Sequence, residues 1–332
     1  MNTTKSRNRW LFFGFSLLVV AIGVAWLQRW PATTHPSLPA SLGQPSSTAA
    51  LEAIIEEPGP ISVETIIGAD WQVDRGGLIN LDHPTAKAAG LKDGPEPIQI
   101  YIHALHHPSR GLFLVDSGIE RALESDREHA AVRGLVAKGA HLELLRVHTT
   151  TGAWLAARGE TPNGVLLTHL HLDHVLGIPD LPSSVTVYLG AGEVEARGMM
   201  NVLLAPVVDR TLAGKGPLQT WRFAADPSHL FASVVDVFGD RSLFALWVPG
   251  HTKGSTAYLA RTPNGPVLFT GDACHTAWGW EHGVEPGSFS NDRPASAESL
   301  RQLRALVARH PRIDVRLGHQ SLSPAAERPS LR

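Results

Sequence analysis

The chain of 332 residues is 43% hydrophobic, carries a formal net charge of −2 at pH 7 and contains a single cysteine, Cys274. The near balance of charge, without a dense basic block, argues against nucleic-acid binding. A single cysteine excludes an intramolecular disulfide and a structural zinc site made of cysteines. Any metal site must therefore use mainly histidine and carboxylate ligands.

The N-terminal region contains an uncharged, mostly apolar run at residues 10–27, between a basic tip and Arg29. About eighteen helical residues rise roughly 27 Å, close to the hydrocarbon thickness of a bilayer. The basic excess before the run predicts a cytoplasmic tip and export of the rest of the chain to the periplasmic or extracellular side. We predict that residues 1–30 are a retained transmembrane anchor in a lipid bilayer, with a cleaved, secreted form as the alternative.

The next segment, residues 31–50, is mostly Pro, Ser, Thr and Ala and has no apolar periodicity. Such a composition buries little apolar surface, so we predict a flexible linker. Residues 51–332 alternate strand and helix signals, with Gly and Pro in the turns between them. This length predicts one large α/β domain with a sizeable core.

Four potential metal ligands occur within six residues, in the order His169, His171, Asp173, His174. They follow the apolar run 164–167, so we predict a strand that ends in a ligand-bearing loop. In extended backbone the first two histidines point to the same side, whereas the last two ligands fall on the following turn. This set suits Zn²⁺, with Fe or Mn as alternatives, and its two halves could serve two metals.

Three later strand-like runs also end by delivering a histidine or an aspartate. They are residues 243–248 before His251, residues 266–270 before Asp272, and residues 313–317 before His319. Each such residue alone is typical of an ordinary turn. Four strand-like runs with the same ending favour a common site.

Other elements are predicted around these runs. Residues 98–105 and 112–115 read as paired strands, which places Asp116 at a strand end. There its carboxylate could orient a ligand histidine or simply form a turn. Residues 119–148 have roughly helical spacing, and leucines near residues 300–307 mark a second helix over a sheet face.

The ordered ligand set resembles that of the metallo-β-lactamase-fold hydrolase superfamily, over about residues 98–320. The resemblance implies an α/β fold, a four-layer αβ/βα sandwich, with the site at one edge of two facing sheets. Residues 51–332 would be this metallo-hydrolase domain. The resemblance also implies two Zn²⁺ ions: one held by His169, His171 and His251, the other by Asp173, His174 and His319, with Asp272 bridging them.

The chemistry implied by such a pair is hydrolysis. A water between two cations loses a proton near neutral pH, and the resulting hydroxide attacks an ester or lactone carbonyl. One cation also stabilises the charge that develops on the substrate oxygen. Asp173 and Asp272 are the candidate catalytic residues, and Asp173 could accept a hydrogen bond from the nucleophile or pass a proton to the leaving group.

Within the superfamily, an aspartate at position 272 resembles N-acyl-homoserine lactonases, glyoxalase II thioesterases and phosphodiesterases. We predict a lactonase-like enzyme acting on a small ester, lactone or thioester. Those lactonases have a tyrosine three residues after this aspartate, whereas this chain has His275. Trp278 and Trp280 could form an apolar wall for an acyl chain or pack in the core.

Three alternatives remain open at this point. Gly250-His251-Thr252-Lys253-Gly254-Ser255 also resembles the glyoxalase II motif, which favours a thioesterase, and a phosphodiesterase is possible on the same ligands. A non-enzymatic alternative is a membrane-tethered metal-binding or interaction protein with a degenerate site.

Overall fold

The domain is built around two β-sheets. A computed structural model describes residues 29–197, 200–226 and 230–322. The strands of these residues are β1 Ser37–Pro39, β2 Gln44–Ser46, β3 Ser62–Asp74, β4 Pro95–His107, β5 Gly111–Val115, β6 Arg146–Val147, β7 Gly164–Leu166, β8 Thr186–Leu189, β9 Leu218–Thr220, β10 Val234–Asp236, β11 Leu243–Trp247, β12 Thr256–Thr262, β13 Gly265–Phe269 and β14 Asp314–Arg316.

The helices of the same residues are mostly short and lie between the strands. They are α1 Thr48–Glu52, α2 Arg75–Leu78, α3 Pro84–Ala88, α4 Ala122–Ser125, α5 Gly134–Gly139, α6 Thr151–Arg158, α7 Leu172–Val175, α8 Asn201–Thr211, α9 Ala277–His282 and α10 Arg293–Arg309, with 3₁₀ turns at Leu142–Leu144, Ile178–Asp180 and Gly271–Ala273.

The strand order explains why several strand ends meet. The larger sheet has the order β1-β9-β8-β7-β5-β4-β3-β6, and the smaller has the order β14-β13-β12-β11-β10-β2. In the larger sheet β5, β7 and β8 are parallel, and in the smaller β13 and β14 are parallel. Because parallel strands end at the same edge of a sheet, the loops that follow them lie side by side.

Three apolar clusters define four layers. One cluster joins the two sheets, with Phe113 and Tyr188 from the larger sheet against Tyr258 and Phe269 from the smaller. A second packs α10 on the outer face of the smaller sheet. A third packs α6 and α8 on the outer face of the larger sheet, where Trp154 lies. The predicted four-layer α/β sandwich is confirmed.

Helix α10 shows how the sequence produces one of these outer layers. Asp292 caps its start, because its side chain accepts a hydrogen bond from the Ala295 backbone N–H at 3.0 Å. Leu300, Leu303 and Leu306 recur at helical spacing and are each at most 1% exposed. Full burial of a leucine contributes about 1.5–3 kcal/mol, so this stripe holds the helix on the sheet.

The predicted flexible linker at residues 31–50 is wrong in this structure. Strand β1 pairs with β9 of the larger sheet, and β2 pairs with β10 of the smaller. Ala40, between them, is only 3% exposed. Edge pairing satisfies the backbone of a Pro- and Ser-rich segment, which has too few apolar side chains to signal a strand by itself. The folded domain therefore includes residues before 51.

Two other sequence-based predictions have different outcomes. The single helix predicted over residues 119–148 is wrong, because α4, α5 and a 3₁₀ turn occupy this stretch as separate short pieces. The transmembrane anchor predicted at residues 1–30 lies outside the described residues, except for residues 29 and 30. Within the described ranges, no helix is long and apolar enough to cross a bilayer.

The pairing of residues 31–50 predicts that they stabilise the domain. A chain that starts at residue 51 lacks β1 and β2, and we expect it to unfold more easily than one that starts at residue 29. A loss of about 2 kcal/mol lowers the melting temperature of a domain of this size by roughly 4–8 °C. Thermal unfolding of both chains, followed by circular dichroism, measures the difference. Equal melting temperatures would restore the linker interpretation.

Candidate metal centre

All seven predicted ligands lie together at one edge of the sandwich. The loops after β7, β11, β13 and β14 carry them. The first three of these strands are apolar and largely buried, and β14 contributes the buried Val315. The ligand atoms form two groups in which all atoms lie within 4.8 Å of one another. The first group is His169, His171, His251 and Asp272, and the second is Asp173, His174, Asp272 and His319.

Asp272 is the residue that the two groups share. Its Oδ2 atom lies 3.5 Å from the Nε2 atom of His169 and 3.4 Å from that of His251. The same oxygen is 3.3 Å from His174 Nε2, and Oδ1 is 3.3 Å from His319 Nε2. The carboxylate therefore stands between the two groups, as the resemblance to the superfamily implied for a bridging ligand.

Hydrogen bonds at the Nδ1 atoms hold several imidazoles in place. Asp116 Oδ2 lies 2.8 Å from His174 Nδ1, and the Gln99 carbonyl oxygen lies 3.0 Å from His319 Nδ1. In both histidines Nδ1–H donates, which leaves Nε2 free to face the centre. Such outer partners fix the tautomer and orientation of metal-binding histidines. Asp116 thus orients a candidate ligand histidine, which is one of the two roles that its position at a strand end suggested.

Burial and neighbouring charges set the protonation of the cluster. Burial lowers the pKa of His169 and His251 well below the usual value, so both imidazoles are neutral near pH 7. Burial also lowers the pKa of His319, but Asp272 and Asp173 outweigh it and raise this pKa to about 10. Neutral imidazoles offer a lone pair, and the carboxylates attract positive charge, whether a proton or a metal cation.

The unpaired atoms of the site fit a metal. Among the described residues, four buried site atoms have no hydrogen-bond partner: His169 Nε2, His174 Nε2, His275 Nε2 and Asp272 Oδ1. Leaving buried polar atoms unpaired is unfavourable, so their convergence calls for a bound cation. Five imidazoles and two carboxylates are a nitrogen and oxygen donor set that suits Zn²⁺, Fe or Mn.

Glycine at position 318 permits the close approach of two of these loops. A Cβ atom on Gly318 would lie 2.2 Å from Asp272 Oδ1 and 3.0 Å from the Gly271 carbonyl oxygen. Any side chain there would displace the shared carboxylate. Gly250, before His251, has φ of +137° and lies against the backbone at Ser296, which also excludes a side chain.

His275 lies beside the shared aspartate. Its Nδ1 atom is 3.1 Å from the Leu78 carbonyl oxygen, so Nδ1–H donates and Nε2 points to Asp272 Oδ2 at 3.1 Å. The sequence identified this residue only as a departure from the lactonase pattern. The structure places its imidazole in the wall of the centre, where it is 1% exposed.

Glu193 is a site residue that the sequence reasoning missed. It is 1% exposed and accepts hydrogen bonds from the loops that carry His169 and His251. Burial raises the pKa of its carboxyl group, although these hydrogen bonds counteract the effect. The available signal was its position after the apolar strand β8, in the same kind of turn that delivers the ligands.

A cavity of about 840 Å³ reaches the centre at His319. Its apolar lining comes from Ile67, Trp71, Ile98 and Leu144, with Gln99 among the polar residues. The two tryptophans that the sequence suggested as a wall for an acyl chain do not line this cavity. Trp278 and Trp280 pack instead against apolar clusters of the core.

Comparison with known proteins agrees with this geometry. Residues 94–319 match the family model of the metallo-beta-lactamase superfamily, and the chain belongs to this superfamily. The N-acyl homoserine lactonase AttM of Agrobacterium fabrum is 30% identical over 155 residues, which are 44% of this chain and 54% of that protein. The chain thus spans about half the length of the curated relatives it matches.

Two solved structures share the fold. A quorum-quenching N-acyl homoserine lactone lactonase superposes with a TM-score of 0.56 at 18% identity, covering 82% of this chain and 97% of the other. AidC, a dizinc quorum-quenching lactonase, superposes with a TM-score of 0.50 at 13% identity, covering 84% and 91%. At these identities the likeness concerns the fold.

The close contact at Gly318 generates a prediction about metal retention. In Gly318→Ala the new Cβ atom pushes Asp272 away from its place between the two groups. We expect divalent-metal affinity to fall on the order of 10-fold or more, as for other changes that misplace a ligand. Metal content after gel filtration, measured by mass spectrometry, tests this.

Gly216→Ala is the matched control, because a Cβ atom on Gly216 would meet no other atom within 4 Å and its backbone is not left-handed. This control should keep the metal content of the unaltered protein. Full metal retention in Gly318→Ala would show that the carboxylate does not need its present position.

Proposed function

We propose that this protein is a dinuclear metal-dependent hydrolase of the lactonase-like branch, acting on an ester or lactone. The observation that carries the proposal is the pair of ligand groups that share Asp272. A single structural metal would need only one closed set of about four ligands. Two groups joined by one carboxylate instead match the two-metal sites of hydrolytic enzymes.

In this proposal, each of the two ligand groups would hold one metal. His169, His171 and His251 would hold one metal, Asp173, His174 and His319 would hold the other, and Asp272 would contribute to both positions. When bound, such a pair activates a water nucleophile and polarises the substrate carbonyl. The identity of the metals is proposed as Zn²⁺, since neutral imidazole and carboxylate ligands suit it and a dizinc lactonase shares the fold.

The protein's own residues then orient the substrate and manage protons. The side chain of Asp173 is 17% exposed, whereas those of Asp272 and His319 are each 3% exposed. Although burial by itself raises the pKa of Asp173, His174 and His319 hold this pKa well below its usual range. The ionised carboxylate can accept a hydrogen bond from the nucleophile and guide a proton to the leaving alcohol.

The cavity supports a substrate with an apolar part. Its volume lies within the range of about 300–1,000 Å³ that is usual for small-molecule sites. Trp71 and Leu144 give an apolar wall that can accept an acyl chain, while His319 marks the end nearest the metal centre. The names of the relatives, N-acyl homoserine lactonases, add support for a lactone that carries such a chain.

A substrate panel tests the reaction. We expect the metal-loaded protein to hydrolyse lactones or esters with acyl chains faster than thioesters or phosphodiesters. His171→Ala and Asp272→Asn each remove a proposed ligand, and we expect both to lower kcat/KM by at least about 10³-fold, because positioning and charge stabilisation at the centre are lost. Initial rates and metal content are measured for each variant.

The same panel separates the alternatives. Preferred turnover of thioesters or phosphodiesters would replace the lactonase assignment while keeping the metal-dependent hydrolase. A protein that binds metal but turns over nothing on the panel would favour the binding role. Lactone hydrolysis that survives loss of both ligands would contradict the proposed centre.

Truncation of the cavity wall tests the acyl site. Trp71→Ala removes apolar surface from the cavity, so we expect kcat/KM for long-chain substrates to fall about 10-fold, equivalent to about 1.4 kcal/mol. Short-chain substrates should be affected little. Trp71→Phe is the matched control, since it keeps an aromatic wall while it removes part of the ring surface and the indole N–H that donates to the His141 carbonyl oxygen at 3.2 Å. An equal loss for short and long chains would place the acyl group elsewhere.

A further inference from the structure

Glu193 is a buried carboxylate with an unusual set of partners. Its Oε1 atom accepts hydrogen bonds from the Thr252 hydroxyl group and from the Gly254 backbone N–H, the latter at 2.8 Å. Its Oε2 atom accepts a hydrogen bond from the Leu170 backbone N–H at 3.1 Å. Among the described residues it forms no ion pair with lysine or arginine, so these three donors balance its burial.

The three donors belong to two different ligand-bearing loops. Leu170 lies between His169 and His171, and Thr252 directly follows His251. The carboxylate of Glu193 therefore ties together the loops that supply all three histidines of one ligand group. These loops are about 80 residues apart in the chain, so only tertiary contacts can fix their separation.

The packing around Glu193 leaves these loops little room to adjust. A Cβ atom on Gly190 would lie 1.8 Å from the Gly254 carbonyl oxygen, and one on Gly254 would lie 2.7 Å from Glu193 Cγ. A further main-chain bond joins the same region, from Thr256 N–H to the Thr168 carbonyl oxygen at 2.9 Å. In such close contact, a lost hydrogen bond is expected to shift the loops.

The second ligand group has separate supports. Asp116 holds His174, and it also accepts a hydrogen bond from the Thr168 backbone N–H at 2.8 Å. The main chain at Gln99 holds His319 through its carbonyl oxygen. Neither support contacts Glu193 through a hydrogen bond. Asp116 also reaches the first group, because the Thr168 hydroxyl group that donates to it lies 3.1 Å from His169 Nδ1. Glu193, in contrast, accepts hydrogen bonds only beside the histidines of the first group.

We infer that Glu193 is a positioning residue for one of the two metals, the one held by His169, His171 and His251. This inference rests on the proposed function and adds a residue to it. Glu193 sets the distance between two loops and thereby the shape of the three-histidine position. The position held by Asp173, His174 and His319 depends instead on Asp116.

Glu193→Gln is the sharpest substitution, because it keeps size and shape. The amide can keep an oxygen toward Thr252 and Gly254, but its NH₂ group then faces the Leu170 N–H, donor against donor. In the opposite orientation of the amide, its NH₂ group faces the donors Thr252 and Gly254 of the other loop. We expect the three-histidine position of the full-length protein to bind Zn²⁺ on the order of 10- to 100-fold more weakly, as for other outer partners of metal ligands.

Two variants, each with only one of the two metal positions intact, serve as backgrounds and show which position Glu193→Gln weakens. In His319→Ala the three-histidine position remains, and Glu193→Gln should weaken its Zn²⁺ binding by this factor. In His251→Ala the other position remains, and the same substitution should change nothing. Asp116→Asn is the comparison variant and should weaken Zn²⁺ binding in both backgrounds, because Asp116 contacts His174 directly and reaches His169 through the Thr168 hydroxyl group. Zn²⁺ affinity is measured by competition with a chromogenic chelator, and the Co²⁺ absorption spectrum reports the geometry of each position.

The possible results distinguish a failure of the inference about Glu193 from a failure of the proposed function. If Glu193→Gln keeps the wild-type Zn²⁺ affinity but has a lowered melting temperature, Glu193 only stabilises the fold. If Zn²⁺ binding weakens equally in both backgrounds, Glu193 does not act selectively on the three-histidine position. If Glu193→Gln does not fold, Thr252→Val is used instead, because it removes one of the hydrogen-bond donors to Glu193. We expect a smaller loss of Zn²⁺ affinity, again confined to the three-histidine position. No such loss in Thr252→Val would overturn the inference. A wild-type protein that binds no Zn²⁺ would contradict the proposed function itself.

Discussion

The carboxylate of Asp272 lies within 3.5 Å of imidazole nitrogens from His169, His174, His251 and His319, and the rest of the domain is arranged to make this possible. The four strands that deliver these residues belong to two different sheets. Bringing them to one edge requires the sheets to face each other, and the apolar cluster between the sheets fixes that pairing. The candidate metal centre therefore depends on the inter-sheet core.

The same arrangement explains which features were predictable from sequence. Each ligand follows a strand-like run, and four such runs with the same polar ending favoured a common site, although His251, Asp272 or His319 alone is typical of an ordinary turn. Their division into two groups came from the resemblance to a known superfamily. The structure brings the groups together as that resemblance implied, with Asp272 common to both.

What the sequence could not show depends on contacts between distant segments. Residues 37–39 and 44–46 become strands only because β9 and β10 offer free edges, and their own composition favours a loop. Glu193 looks like an ordinary turn residue until the loop after His251 packs against it. Likewise, the sequence suggested Trp278 and Trp280 as a wall for the proposed acyl chain, whereas the fold brings Trp71, from a strand about two hundred residues earlier, to the cavity beside His319.

The cavity wall and the ligand set come from largely separate parts of the chain. Trp71 lies on β3 and Leu144 on a 3₁₀ turn, and neither segment carries a metal ligand. Substitutions in these segments can alter the space for a substrate without touching the loops that hold the centre. Under the proposed function, evolution could exchange one substrate for another through substitutions in the cavity wall, while the ligand-bearing loops stay unchanged.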